Sequence, residues 1–439
     1  MDWNRLLKLP LVNGDLANNV RRVTRNPTMK QLGPGLITGA ADDDPSGIAT
    51  YSQAGAQFGF NMLWTVVLTY PLMVGIQTVS ARLGRVTGRG LAANIRRQFP
   101  APVLYSIVLL LLVANTINIA ADIAAMGEAM RLLVGGSAHA YSVLFGVSSL
   151  LLQVYMPYAR YVRYLKWLTL VLLAYVATVF SVHVPWAQVA RATFLPRLAW
   201  NNETIMMIVA VFGTSISPYL FFWQAAQEVE ELRGFGRAKS LRRLPENAAV
   251  HLRRIKIDTY LGMGLSNLVA FFIILSTAAT LHLHGVNNIQ TSAEAAEALR
   301  PLAGDFAFLL FSLGIVGTGL LAVPILAGSA AYAVTESFRW KSGLDLKLGE
   351  AREFYGIIGL ATIGGVVLDF MPIDPIKALF WSAVINGVIA VPIMAVMMII
   401  AAKPRIMGRF VITGKLRALG WSATAIMALA VAGIVVTWT

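Results

Sequence analysis

The sequence predicts an all-α polytopic membrane protein, and three observations predict it. Apolar residues make up 57% of the 439 positions and charged residues 13%, with a mean hydropathy of +0.65. A soluble chain carries about 25% charge, so this composition points to a bilayer as solvent. Uncharged or nearly uncharged stretches recur along the whole chain at the length of about 20 residues that a crossing helix needs, too long for barrel strands. Finally, 31 of the 36 Lys and Arg residues fall in alternate connections between those stretches. The absence of cysteine excludes disulfide scaffolds, thiol catalysis and cysteine-ligated metal.

Eleven spans follow in order at about 33–57, 62–81, 103–130, 140–157, 164–184, 204–227, 257–281, 306–335, 354–371, 378–402 and 418–438. The ninth is the weakest, being short and holding Gly359, Gly364 and Gly365. Residues 1–32 carry scattered charges before any apolar run, unlike a cleaved signal peptide, and read as a cytoplasmic tail. With the N-terminus inside, Lys+Arg counts in the inner segments are 6 (1–32), 5 (82–101), 3 (158–166), 8 (228–256), 4 (339–353) and 5 (403–417). Arg131, Arg191, Arg197, Arg300 and Lys377 are left outside. This bias predicts a plasma-membrane protein with its C-terminus outside. The net charge of +14 is thereby membrane topology, with attraction to anionic lipid, and leaves no basic domain for nucleic acid.

Two spans are broken. The first places Asp42, Asp43, Asp44, Pro45, Ser46 and Gly47 near its middle. A charge at the bilayer centre costs about 2.5–3.5 kcal/mol, so three carboxylates need a polar surrounding or a bound cation. Pro45 removes a backbone donor and Gly47 relaxes the chain, so the helix opens and frees carbonyls. The sixth span repeats the design in Gly213-Thr-Ser-Ile-Ser-Pro-Tyr219, where Thr214, Ser215 and Ser217 supply oxygens and Pro218 matches Pro45. Interrupted helices at corresponding places five spans apart point to an inverted-repeat transporter with a midplane cation site. Pro218 alone would be an ordinary kink, and Ser and Thr commonly bond back to their own helix.

Gly33-Pro-Gly35, Asp44-Pro-Ser-Gly47, Gln53-Ala-Gly-Ala-Gln-Phe-Gly59, Ala81-Arg-Leu-Gly-Arg-Val-Thr-Gly88 and the run from Gly319 to Val334 resemble the Nramp family of divalent-metal transporters, over about 33–402. The closest likeness is to its magnesium-transporting branch. The resemblance implies a LeuT-like fold of two inverted five-helix repeats (33–190 and 191–402), an inner loop and eleventh helix (403–439), and a metal held between spans 1 and 6. It places Asp44, Gly47, Thr214 and Ser217 at metal positions; beside them, Asp43 reads either as a ligand through water or as a helix-end group hydrated in the entry vestibule, and Asp42 reads as vestibular.

Departures from the family pattern sharpen that expectation. The family motif Asp-Pro-Gly-Asn stands here as Asp44-Pro45-Ser46-Gly47, losing the Asn amide. The family's sixth-span Met and His stand as Ser217 and Tyr219. Removing the thioether leaves an all-oxygen site, which suits Mg²⁺ with several retained waters better than Mn²⁺, Ca²⁺ or Al³⁺. In the third span Asp122 is kept while Ala125 replaces the family's Glu, and all five His lie in loops or at span ends. These losses predict transport without proton coupling, the transported cation being the sole metal and no resident cofactor being needed. The alternative is a proton-coupled Mn²⁺/Fe²⁺-type transporter.

Secondary candidates are Tyr219, Asp122 and Asn386, the last near Ala383, which stands at a family Gln position. Gln224, Gln227, Glu228, Glu230 and Glu231 read either as an acidic exit funnel or as a solvated helix end facing the Arg cluster at 233–254. Asn115, Asn118 and Asn267 read as helix-packing groups. A Mg²⁺-dependent intramembrane enzyme is the distant rival, but it needs a second Asp-rich motif that the chain lacks. The expected partners are a divalent cation and the lipid bilayer, with no obligate protein partner.

Overall fold

The computed structural model describes residues 34–156, 168–197, 199–234 and 240–438. The expected tail at 1–32 and the inner connection at 158–166 lie outside the described residues. Among the described residues every regular element is helical. In chain order the main helices are α1 (Pro34–Asp42), α2 (Pro45–Phe58), α3 (Leu63–Thr87), α4 (Leu91–Gln98), α5 (Ala101–Val134) and α6 (Ala138–Tyr155). Then come α7 (Leu173–Ser181), α8 (Trp186–Phe194), α9 (Asn202–Ser215), α10 (Pro218–Gly234) and α11 (Ala248–Thr280). The chain ends with α12 (Ala307–Phe338), α13 (Arg352–Asp369), α14 (Pro375–Ala401) and α15 (Gly414–Trp438).

Eight helical segments among the described residues are long and apolar enough to cross a membrane, or nine if the bent pair α7–α8 counts as one. Eleven spans were expected, and the difference has identifiable causes. The 43-residue segment Pro45–Thr87 joins the second half of span 1 to span 2 through a 3₁₀ turn at Gly59–Met62. Gly59 makes that turn with φ 58°, a conformation that a side chain resists. Nine-residue α1 is too short to cross alone. Span 5, expected at 164–184, is described only from residue 168 and meets a 120° bend at its far end, between α7 and α8, and 18-residue α13 is not among the eight.

Both broken spans open where proline demands it. α1 stops at Asp42 and α2 starts at Pro45; α9 stops at Ser215 and α10 starts at Pro218. Proline cannot donate to the preceding turn, and its ring keeps the residue before it out of the helical region. Asp44 accordingly sits at φ −70°, ψ 170° and caps α2, accepting from Gly47 N.

Small residues bring the broken helices close to unbroken ones. A Cβ on Gly39 would collide with the Gly262 backbone of α11, and one on Gly213 with the Ala383 carbonyl and Gly387 of α14. The Gly35 N–H also donates to Asp258 Oδ2 of α11 at 2.7 Å. The apolar core divides at the level of the breaks. One cluster joins Leu72–Val86 of α3 with Tyr219–Trp223 of α10, Leu321–Ala333 of α12 and Ile389–Ala401 of α14. The other joins Ile48–Ala56 of α2 with Ala270–Ala279 of α11, Ala307–Ile315 of α12 and Ile376–Leu379 of α14. Between them lie the buried polar residues Asp44, Asn118, Asp122, Thr214, Ser217, Thr318 and Asn386.

Candidate metal site at the two helix breaks

Asp44 is 2% exposed and its carboxylate is held from three sides. Oδ1 accepts from Gly47 N at 2.7 Å and Ser46 Oγ at 2.8 Å, while Oδ2 accepts from Asn118 Nδ2 of α5 at 3.1 Å. The Tyr219 side chain also acts on this carboxylate, so its polar neighbours come from α2, α5 and α10. Gly47 lies beside the sixth-span break, because a Cβ there would stand 3.1 Å from Thr214 Oγ1. That hydroxyl is buried and has no hydrogen-bond partner among the described residues. The helix breaks therefore bring together Asp44, Gly47 and Thr214, as expected from the sequence.

Ser217 Oγ donates to the carbonyls of its own helix end, Gly213 O at 3.0 Å and Thr214 O at 2.7 Å. Its proton is spent locally and only its lone pairs face elsewhere. Tyr219 is fully buried and its hydroxyl donates to Ala41 O at 3.0 Å, tying α10 to the last turn of α1. Tyr51 and Ser215 join α2 to α9 at 2.9 Å in the same way. Asp43 and Asp42 both approach Ser266 Oγ of α11, at 3.0 and 2.8 Å. Asp42 is 1% exposed, which corrects its placement in an open vestibule: the last turn of α1 packs directly against α11.

Asp122 is fully buried one turn beyond Asn118 on α5, and neither oxygen meets a donor in good geometry among the described residues. The groups acting on it are Asp44 and the Ser46 backbone. Asn386 is 1% exposed, and both ends of its amide lack partners among the described residues. It is not the interhelical hydrogen-bonding group that a buried amide usually becomes. Its neighbour Gly387 abuts Gly213, which sets it at the level of the break.

The acidic exit funnel is not observed. Glu228 is fully buried and meets Arg254 at 2.6 Å and Arg85 at 3.9 Å. Glu231 meets the same arginines at 2.5 and 3.4 Å. Glu230 accepts from the Tyr332 hydroxyl and from Leu344 N, and Gln224 accepts from Thr38 Oγ1 at 2.5 Å. The expected facing of the Arg cluster at 233–254 is observed through Arg254, but Glu228 and Glu230 are buried, not solvated: the carboxylates fasten α10 to α3, α11 and the loop after α12. Arg85 also contacts His251 Nδ1 at 2.7 Å, so every described histidine remains at a span end or in a connection.

Asn118, expected as a helix-packing group, instead faces the Asp44 carboxylate at the break. Its spacing of four from Asp122 was the available signal, since it puts both on one face of α5. Asn115, read in the same way, is a packing group: its amide donates to Leu326 O at 2.8 Å and Ser329 Oγ at 2.7 Å of α12. Among the described residues no group of three or more His, Cys, Asp or Glu could hold a metal ion. A cation at the breaks would be held by one or two carboxylates together with hydroxyls, carbonyls and water, the donor set of a hard ion.

Comparison with known proteins agrees with this architecture. The family model of natural resistance-associated macrophage protein-like (Nramp) proteins matches residues 35–437. The divalent metal cation transporter MntH of Yersinia pestis (strain Pestoides F) is 28% identical over 318 residues, covering 71% of this chain and 73% of the relative. MntH of Klebsiella pneumoniae subsp. pneumoniae is 26% identical over 425 residues, covering 95% and 96%. A manganese transporter of Eremococcus coleocola has a similar structure, with a TM-score of 0.70 at 16% identity over 91% of this chain and 84% of that one. The nucleobase-cation-symport-1 family transporter Mhp1 in a closed conformation gives 0.54 at 14% identity, over 92% and 93%. The fold is the LeuT-like one.

Proposed function

The chain belongs to the Nramp family, and from that premise we propose that it carries a hard divalent cation, Mg²⁺ foremost, across the plasma membrane by alternating access around the two breaks. The observation that carries this reading is the buried Asp44 carboxylate at the break of span 1, beside the unpartnered Thr214 hydroxyl. Asp44 supplies the charge that draws the ion out of water. Thr214, Ser217 and the carbonyls at the C-terminal ends of α1 and α9 supply neutral oxygens, and both helix dipoles favour a cation there. Gly47 leaves room for retained waters, and Asp43 reaches the ion through one of them. Tyr219 and Tyr51 hold the halves of spans 1 and 6 together while the surrounding helices rock.

Ser217 stands where the family carries a thioether, so nothing soft marks out Mn²⁺ from Mg²⁺. The relatives named for manganese make proton-coupled Mn²⁺ transport the second reading. Against coupling stand Ala125, Tyr219 and the lack of an imidazole at the breaks. The membrane potential suffices as driving force, at roughly 2.3 kcal/mol per charge per 100 mV and hence about double that for a divalent ion. The charge bias sets the N-terminus inside and the C-terminus outside.

The test is Mg²⁺ uptake into proteoliposomes at an imposed potential, with the internal pH followed by a trapped dye. We expect uptake that scales with potential while pH stays flat. Stoichiometric acidification, or uptake of Mn²⁺ with none of Mg²⁺, contradicts the reading.

A further inference from the structure

We propose that Asn118 is a metal ligand of this site, its amide oxygen taking the place of the amide that Gly47 lacks. The inference rests on the cation-site reading given above and names a residue outside the two broken spans. Asn118 is fully buried on α5, with Nδ2 3.1 Å from Asp44 Oδ2 and with Oδ1 lacking any hydrogen-bond partner among the described residues. Asn115, three residues earlier on the same helix, likewise has an unpartnered Oδ1 among the described residues, but its Nδ2 donates to the α12 backbone and Ser329, not to a carboxylate. The two asparagines therefore differ in kind: one packs helices, the other faces the carboxylate at the break.

The geometry suits an exchange of roles. Without an ion, the amide N–H answers the negative charge of Asp44. A half-turn of the amide puts its oxygen where the nitrogen stands, at the same separation from Asp44 Oδ2. Adjacent ligands of an octahedral ion with bonds of 2.0–2.1 Å are about 3 Å apart, so the two oxygens would span one edge of a Mg²⁺ octahedron. Thr214 Oγ1, across Gly47, stands ready as a further ligand. Asn118 thus holds Asp44 in place while the site is empty and binds the ion once it arrives. The donor set stays wholly oxygen, which keeps the preference hard.

Binding of Mg²⁺ and of Mn²⁺ to the purified full-length protein, measured by titration calorimetry, tests this with three variants. Asn118→Leu removes both roles and is expected to weaken binding about tenfold or more, the scale on which loss of a metal-site partner is felt. Asn118→Asp keeps an oxygen but cannot donate to Asp44, and is expected to recover most of that loss. Equal weakness of the two variants shows a donor role only and overturns the proposal, as does wild-type binding by Asn118→Leu. If the Leu variant does not purify folded, the Asp variant decides alone: retained binding upholds the ligand role and lost binding refutes it. Asp44→Ala separates this question from the site itself, because undiminished binding there refutes both.

Discussion

Where α3 and α10 end and α11 begins, Arg85, Arg254, Glu228 and Glu231 pair with one another, with four N···O distances between 2.5 and 3.9 Å. About 15 Å back along α10, at its first residue, the picture inverts. Asp42, Asp43, Asp44 and Asp122 are all at most 5% exposed, and none forms an ion pair among the described residues. Their partners are hydroxyls, one amide and backbone. Both regions bury charge, but only the first balances it. Balanced charges hold helices in register, whereas an unbalanced carboxylate in a membrane interior is tolerated only for what it binds.

Glu228→Ala breaks the first region and should have the largest effect on the folded state. It leaves Arg254 and Arg85 short of a buried partner, a loss of about 3–5 kcal/mol that appears as a lowered thermal midpoint of the purified protein. Ion affinity in the surviving folded fraction should be unchanged. Thr214→Val acts in the second region with the opposite signature. The shape is kept and one neutral oxygen is lost, so the KM for Mg²⁺ uptake should rise about tenfold with no fall in thermal midpoint. The smallest change sharpens the comparison further: Ser217→Met restores a thioether beside Asp44. Competition by Mn²⁺ or Cd²⁺ against Mg²⁺ uptake should strengthen severalfold, about 1 kcal/mol of preference, through ligand softness alone.

The second region was legible in the sequence because its signals are local. Pro45 and Pro218 open their helices through their own rings, and three carboxylates in an apolar run announce themselves without knowledge of neighbours. The first region was legible only in part: the acids of α10 read as facing the Arg cluster that holds Arg254, but nothing local announced Arg85. Glu231 and Arg85 are 146 residues apart, and a row of acids at a helix end reads alike whether it faces water or guanidinium groups. Ser217 shows the same dependence on the fold, since the carbonyls that take its proton, Gly213 O and Thr214 O, belong to a helix end that only the fold defines. Asn118 and Asn115 look equivalent on paper. The residues facing them, Asp44 and Leu326, separate them, and those contacts span 74 and 211 positions of chain. The expectation of eleven spans met its complications where the helix either breaks or bends, at Asp43–Asp44 and between α7 and α8.

The central claim is that Asp44, at the break of span 1, anchors a hard-ion site. It is tested most directly by Mg²⁺ uptake into proteoliposomes with Mn²⁺ as competitor, run side by side on wild type and Asp44→Ala. The account predicts wild-type Mg²⁺ uptake that persists against an equal concentration of Mn²⁺, and background uptake for Asp44→Ala at an unchanged thermal midpoint. Mg²⁺ uptake abolished by trace Mn²⁺, or full transport by Asp44→Ala, would contradict it.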